Sequence, residues 1–269
     1  MNGAVRLERT RTAAGEIAVL SWARPERRNA MSRDMTSALA AAVAELARRP
    51  PAAAVLRGEG GDFSAGADLE DVRAVGRGDE EAALGYSRAL QDLAGALERL
   101  PLPTVAAIDG VCLGLGLELA LACTTRLASP RSLLGLPEMR HGLYPAAGGT
   151  ARLPEAVGEG RAREMILAAR VVDAAEAHAL GVVDRVVPEG EVADAAIALA
   201  REWAPAGAAM VLFLAARRAG RGPAFETALA AERDGFARLV RSESVRERLD
   251  AFLTRRKGTA PVGPPRSVP

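Results

Sequence analysis

The sequence predicts an α/β fold with at least partly parallel strands, followed by a wholly helical C-terminal part. Two observations carry that expectation. Up to about residue 190, short apolar runs bounded by Gly and Pro alternate with segments whose apolar residues recur at helical spacing, the pattern of β–α units. From about Glu189 onward only the helical spacing remains. Composition allows a substantial core: 49% of the 269 residues are hydrophobic and 26% charged, and a chain this long buries roughly three quarters of the surface its unfolded form exposes.

The elements follow in order. Val5–Leu7 and Ile17–Trp22 read as short strands joined by a turn at Ala14-Gly15. Ser32 is placed to cap a helix, with Asp34 in its first turn and Met35, Leu39, Val43 and Leu46 on one face, until Pro50-Pro51 ends it. Ala53–Leu56 fits a buried strand leading into the Gly-containing segment Gly58 to Gly66. Asp79 is a candidate cap for a long helix with Leu90, Leu93, Leu97 and Leu100 on one face, broken by Pro101 and Pro103. Thr104–Ile108 is a further buried strand, and Gly110 to Gly116 reads as a turn opening a helix. Leu127–Ala128 and Leu133–Leu134 are short strands. In the C-terminal part, Phe225, Leu229, Phe236 and Leu239 mark one helical face, and Val245, Leu249 and Phe252 another. The expected organisation is a core over 1–190, a helical region over 191–257 and a Pro- and Gly-rich, disordered tail over 258–269.

Charge and cysteine content exclude several classes. Lys and Arg number 35 against 34 Asp and Glu, a formal net charge of +1, without the basic excess of a phosphate-driven nucleic-acid binder. Cys112 and Cys123 are too few for a disulfide framework and read as free buried thiols. His141 and His178 lie far apart and neither has a Cys or His at ligand spacing, so no metal site is expected. The N-terminus has no apolar signal region, and the apolar stretch Val111 to Cys123 is short and interrupted by Glu118. The expectation is a cytoplasmic protein without a membrane partner.

Glu118 is the most informative residue. On a helix, its neighbours three and four positions away are Gly114, Leu115, Leu121 and Ala122, none able to pair with a carboxylate. Either it is buried and functional, because an unpaired buried carboxylate is costly, or it is the one exposed position of a buried helix. Gly110, Gly114 and Gly116 precede it where a strand turns into a helix, and the free N–H groups of such a turn can hold a developing oxyanion. Leu115 stands three residues before Glu118, so its N–H faces the same side as the carboxylate. The spacing is not that of a dinucleotide fingerprint, and no phosphate-loop lysine follows. A second Gly-containing loop, Asp62 to Leu69, either admits a ligand close to its backbone or is an ordinary β-to-α connection. Glu138, in Leu136-Pro137-Glu138, carries no signal of its own.

Four segments in order resemble the crotonase family, and within it the enoyl-CoA hydratase branch. They are Arg24-Pro-Glu-Arg-Arg-Asn-Ala30, Phe63-Ser-Ala-Gly-Ala-Asp-Leu69, Ile108 through Cys123, and Leu136-Pro-Glu138 with Pro145-Ala-Ala-Gly-Gly-Thr-Ala-Arg-Leu-Pro154. The resemblance covers residues 5 to 257. It implies a spiral of ββα turns, a helical C-terminal trimerisation region, and a homotrimer or a hexamer of two trimers. It also implies an acyl-CoA thioester substrate, with coenzyme A part of the substrate and no separate cofactor. By motif position, the backbone N–H groups of Ala67 and Leu115 would form the oxyanion hole. Glu118 would activate water and Glu138 would deliver a proton to Cα, adding water across the 2,3 double bond. Arg28, Ala65, Gly66, Asp68, Leu69, Gly114 and Ala146 would bind substrate, and Phe252 and Lys257 would reach a neighbouring subunit's coenzyme A.

Three positions depart from the family's usual pattern: Leu115 where Gly or Ala is usual, Thr124 where Asp is usual, and Ala146 where hydratases carry Gly. His141 is expected to be structural, although it stands near Glu138. The alternatives are double-bond isomerisation or another acyl-CoA reaction on the same scaffold, and a non-catalytic protein of this fold that binds RNA or a partner.

Overall fold

The computed structural model describes residues 3–13 and 15–258, with the side chains of residues 256–258 left outside the description. Strands β1 (Ala4–Thr12) and β2 (Gly15–Ala23) form an antiparallel pair, longer than the sequence predicts. The extension escapes hydropathy because β1 lies at the sheet edge and alternates exposed Arg, Glu and Thr with half-buried residues. A 3-10 turn (Pro25–Arg27) leads to helix α1 (Arg33–Arg48), whose N-cap is Ser32 and whose buried face is Met35, Leu39, Val43 and Leu46, as expected. Strand β3 (Ala53–Gly58), helices α2 (Leu69–Gly76) and α3 (Glu80–Glu98), and strand β4 (Thr104–Ile108) follow. Next come β5 (Val111–Leu113), α4 (Leu115–Leu121), β6 (Thr125–Ala128) and β7 (Leu133–Gly135). A second 3-10 turn (Pro137–His141) precedes α5 (Gly149–Val157) and α6 (Glu159–Leu167). The chain continues through β8 (Val171–Asp173), α7 (Ala174–Leu180), β9 (Arg185–Val186) and α8 (Val192–Trp203). A third 3-10 turn (Ala204–Ala206) leads to α9 (Gly207–Ala219), α10 (Gly222–Val240) and α11 (Glu243–Gly258).

The strands fall into two sheets, and the chain passes from one to the other at each turn. One sheet has the order β1-β2-β3-β4-β6-β9, parallel from β2 onward. The other has the order β5-β7-β8, with β5 and β7 parallel. So β4 then β5 then α4, and β6 then β7 then α5, are successive turns of a ββα spiral. An isolated parallel bridge from Ser64 to Cys112 extends the second sheet by one rung to the segment after β3.

The larger sheet is covered on both faces, and its period of two sorts the side chains. Ala54, Leu56, Ala106 and Ile108 face the main core, whereas Ala53, Val55, Val105 and Ala107 face Val192, Ala196 and Leu199 of α8. The helical C-terminal part is therefore built into the molecule, since α8 closes one face of the sheet and α10 sends Phe236, Ala237 and Val240 into the main core. Residues Val192–Ala219 are apolar enough over their length to match a membrane span in composition. Their first half is packed on the sheet, while α9 has no buried residue and exposes Leu212 and Phe213. The expected disordered tail starts at Gly258, which ends α11; the rest of it, residues 259–269, lies outside the described residues.

Candidate active site

The two Gly-containing loops are held against each other by one hydrogen-bond ladder. The Ser64 N–H donates to Val111 O (2.8 Å), and the Leu113 N–H donates to Ser64 O (2.9 Å). Asp62 joins the same ladder by accepting the Val111 N–H at 2.8 Å. Two residues after Ser64 the backbones all but touch. A Cβ on Gly66, whose φ is +98°, would lie 2.9 Å from Leu113 O, so this position requires glycine.

This arrangement presents two N–H groups to one space. Met31 bridges to Ala67 by giving its N–H to Gly66 O (2.8 Å) and taking the Asp68 N–H (2.9 Å). Both bonds use Ala67's neighbours, so the N–H of Ala67 itself points away from Met31. Leu115 is the first residue of α4, where a backbone N–H has no intrahelical partner. Ala65, Gly66, Ala67, Gly114 and Leu115 all line one cavity of about 120 Å3.

Glu118 lies one turn into α4 and is 2% exposed. The expectation that it is either buried or exposed resolves to buried. Its partners come from the start of α5, where the N–H groups of Ala147 (2.8 Å) and Gly149 (2.9 Å) both donate to Oε1. Gly149 permits this approach, because a Cβ there would sit 3.0 Å from that oxygen. Burial pushes the Glu118 carboxyl well above the usual carboxylate range, helped by the charges of Glu232 and Glu138 and opposed by the two N–H bonds.

Glu138 arrives from the second sheet. The Gly114 N–H donates to Gly135 O (3.0 Å) at the end of β7, and the chain then turns through Pro137 to place Glu138 beside Gly114. A Cβ on Gly114 would meet Glu138 Oε1 at 3.1 Å. Glu138 Oε2 is shielded from solvent and has no hydrogen-bond partner among the described residues. Burial pushes this carboxyl up to about 8, with Glu232 adding to the effect. Both glutamates line the cavity.

The remaining expected contacts divide. Leu69 and Ala146 line the cavity with Ala65, Gly66 and Gly114. Asp68 does not, for it is spent on structure: it caps α2 through the Glu70 N–H (3.0 Å) and pairs with Arg24 (2.5 Å). Arg28 does not line it either, and its Nε donates to Asp62 at 3.0 Å. Thr124 forms a reciprocal pair with Thr104, each hydroxyl accepting the other's N–H at 3.0 and 2.9 Å. That pair ties the end of α4 to the start of β4 without a carboxylate. His141 lines the cavity and packs edge-on against Phe252, 4.9 Å between ring centroids. Burial and the Arg140 charge hold its pKa below the ordinary histidine range. The Lys257 side chain lies outside the described residues.

Sequence reasoning missed part of the wall and one acid. Leu90 of α3, Tyr144 and Phe236 of α10 join Tyr86 at the apolar end of the cavity. Glu232 of α10 is a third carboxylate, 2% exposed. It carried a signal: it falls between Leu229 and Phe236 at helical spacing, a lone charge within an apolar stripe, as Glu118 is on α4.

A family model described as enoyl-CoA hydratase/isomerase matches residues 12–259. The chain is 37% identical over 246 residues to an enoyl-CoA isomerase/hydratase of Mycosarcoma maydis, covering 87% of this chain and 88% of the relative. It is likewise 37% identical to the mitochondrial methylglutaconyl-CoA hydratase of Mus musculus, over 89% of this chain and 78% of the relative. Among solved structures it superposes on an enoyl-CoA hydratase from Mycobacterium avium subsp. paratuberculosis with a TM-score of 0.79 at 28% identity, covering 91% of this chain and 97% of that one. With the ββα spiral, the buried glutamates and this match along nearly the whole chain, the protein belongs to the crotonase family of enoyl-CoA hydratases and isomerases.

Proposed function

We propose that this protein is a 2-enoyl-CoA hydratase acting on an aliphatic acyl group. The observation that carries the proposal is the presence of two carboxylates of different surroundings, Glu118 and Glu138, on the wall of one cavity beside two unspent backbone N–H groups. The thioester oxygen accepts the N–H groups of Ala67 and Leu115, which hold charge as it develops and need no reorganisation. Glu118 takes a proton from water as the oxygen attacks Cβ. Glu138 gives its proton to Cα, and the pair then redistributes one proton to reset. Two N–H bonds on Glu118 Oε1 favour charge there, and the unpartnered Oε2 of Glu138 is the better seat for the proton. Coenzyme A enters only as part of the substrate, and the acid–base steps use only the chain's own groups.

The far end of the cavity favours an uncharged acyl chain. Among the described residues no Lys or Arg lines it; Val72, Tyr86, Leu90, Leu143 and Phe236 do. The Arg33 guanidinium nearby stacks over the Tyr86 ring at 5.4 Å from its centroid and does not line the cavity. A second carboxylate, such as methylglutaconyl-CoA carries, would be buried there without a cation and next to acids. We also propose that the chain assembles as a homotrimer or a hexamer through its C-terminal helices, where Leu212 and Phe213 are exposed.

The test is turnover of crotonyl-CoA, a longer straight-chain 2-enoyl-CoA and methylglutaconyl-CoA, read by loss of enoyl-thioester absorbance and product mass. Gain of one water, with the aliphatic esters preferred about tenfold or more in kcat/KM, is expected. A mass-conserved product would mean isomerisation and refute hydration, and preference for methylglutaconyl-CoA would refute the substrate class.

A further inference from the structure

Two buried carboxylates, Glu118 and Glu232, lie where α4, α5 and α10 meet, with the half-buried Glu138 of the second 3-10 turn near them, and the acid–base reading uses only Glu118 and Glu138. The third, Glu232, is the most fully hydrogen-bonded. Its Oε1 accepts the Gly148 N–H at 2.6 Å and the Gln91 amide at 3.2 Å. Its Oε2 accepts the Thr150 N–H at 2.9 Å and the Thr150 hydroxyl. Every partner is a donor, and they occupy both oxygens. Three of these four partners are N–H groups that only donate, and the Thr150 hydroxyl is the one group able to accept a proton from the carboxyl, so the site favours the anion.

Those partners alternate with the ones that hold Glu118. Along the turn into α5, Ala147 donates to Glu118, Gly148 to Glu232, Gly149 to Glu118 and Thr150 to Glu232. One short piece of backbone is stretched between two carboxylates, one on α4 and one on α10. Moving its Glu232 side must move the N–H groups on its Glu118 side.

We infer that Glu232 is a positioning residue for the acid–base pair: as a fixed anion on α10 it shapes the turn that aims the Ala147 and Gly149 N–H groups at Glu118, and its charge keeps one proton on the Glu118–Glu138 pair. The inference rests on the reading of that pair as the acid and base of hydration. Among the described residues no Lys or Arg forms an ion pair with the Glu232 carboxylate. On α3, Gln91 is polarised by Arg233, whose Nη1 donates to Gln91 Oε1 at 3.3 Å. On α5, Arg152 gives Nη1 to Ala147 O (3.0 Å), but its other arm is held by Glu98 at 3.0 Å. Tyr144 donates to the backbone oxygens of Ala231 and Glu232, not to the carboxylate. The remaining titratable groups on the cavity wall are Tyr86 and His141. Burial raises Glu232 itself, and its four donors oppose that.

The test is the isosteric change Glu232→Gln in the full-length protein. A carboxamide keeps the size but can accept on one side only, and it removes the charge. Carboxyl titration of 13C-glutamate-labelled enzyme without substrate, assigned with Glu118→Gln and Glu138→Gln spectra, should show the pair's midpoint at lower pH than in wild type. With crotonyl-CoA, kcat should fall roughly tenfold or more, while KM changes less than about twofold, as for a misplaced acid–base group. A folded variant with an unmoved midpoint and wild-type kcat would overturn the inference. If Glu232→Gln does not fold, Thr150→Val removes only the hydroxyl donor to Oε2. A lower kcat at unchanged KM then supports the inference, and an unchanged kcat with an unmoved pair midpoint overturns it. Because the titration needs no substrate, a wild-type enzyme that fails to hydrate crotonyl-CoA refutes the hydratase reading separately.

Discussion

Glu118 and Glu138 are the same residue type with different oxygens: one capped by two N–H groups, the other with a buried, unpartnered Oε2. The pH dependence follows from that difference. The Glu138 carboxyl is raised from its ordinary value to about 8, so it holds its proton at neutral pH and loses it as pH rises through about 8. The activity that needs this proton should fall on the same limb, and a kcat/KM profile should bend down near pH 8. Stability carries the same sign. The folded state binds a proton on Glu138 that the unfolded chain has released, so stability declines from the ordinary carboxylate range up to about pH 8. Glu138→Gln should therefore raise Tm more at pH 8.5 than at pH 5, by roughly 2–4 °C for each kcal/mol of relieved burial cost. Thermal scans at the two pH values check this, and an equal Tm change at both would contradict it. Glu118 was legible in the sequence because none of its helical neighbours can pair with it. Glu138 was not, since its meaning lies in a sheet pairing rather than in its neighbours, and it was located only by resemblance.

At the scale of elements, the proposed oxyanion hole depends on strand β5 being paired on both sides, to Ser64 and to β7. That strand was read as part of a turn, because three residues between two glycines are too few to show a period. Its pairing partners are remote in sequence, which no local pattern encodes. Helix α1 was legible down to its cap, because Ser32, the apolar stripe and Pro50-Pro51 are all local signals. The close approach of the two loops gives a direct prediction. Gly66→Ala adds a Cβ 2.9 Å from Leu113 O at a φ of +98°, so the loops must part and the Ala67 N–H must leave its place. Losing one such donor costs about 100-fold in kcat or more. Steady-state kinetics on folded protein should show that loss, and wild-type kcat would show that the loops do not set the hole.

Over the whole molecule, the division at residue 190 marks a change of pattern rather than a change of core. Helix α8 covers one face of the larger sheet, and α10 supplies both Phe236 to the cavity and Glu232 to the turn at α5. The alternation of strands and helices made the fold class readable, but not which helix closes the site, since that depends on packing between segments more than a hundred residues apart. Of the C-terminal helices, α9 alone has no buried residue. If its Leu212–Phe213 face lies between subunits, Phe213→Asp should shift the protein toward monomer in light scattering with little change in the folded core.

The central claim is that two glutamates share the acid and base work of one hydration. The most direct measurement is crotonyl-CoA hydration by wild type, Glu118→Gln and Glu138→Gln under the same conditions, with product mass recorded. Wild type should add one water, and each single variant should lose at least about 100-fold in kcat, the contribution of one positioned acid or base. Full activity in Glu118→Gln, with the same hydrated product, would contradict the account.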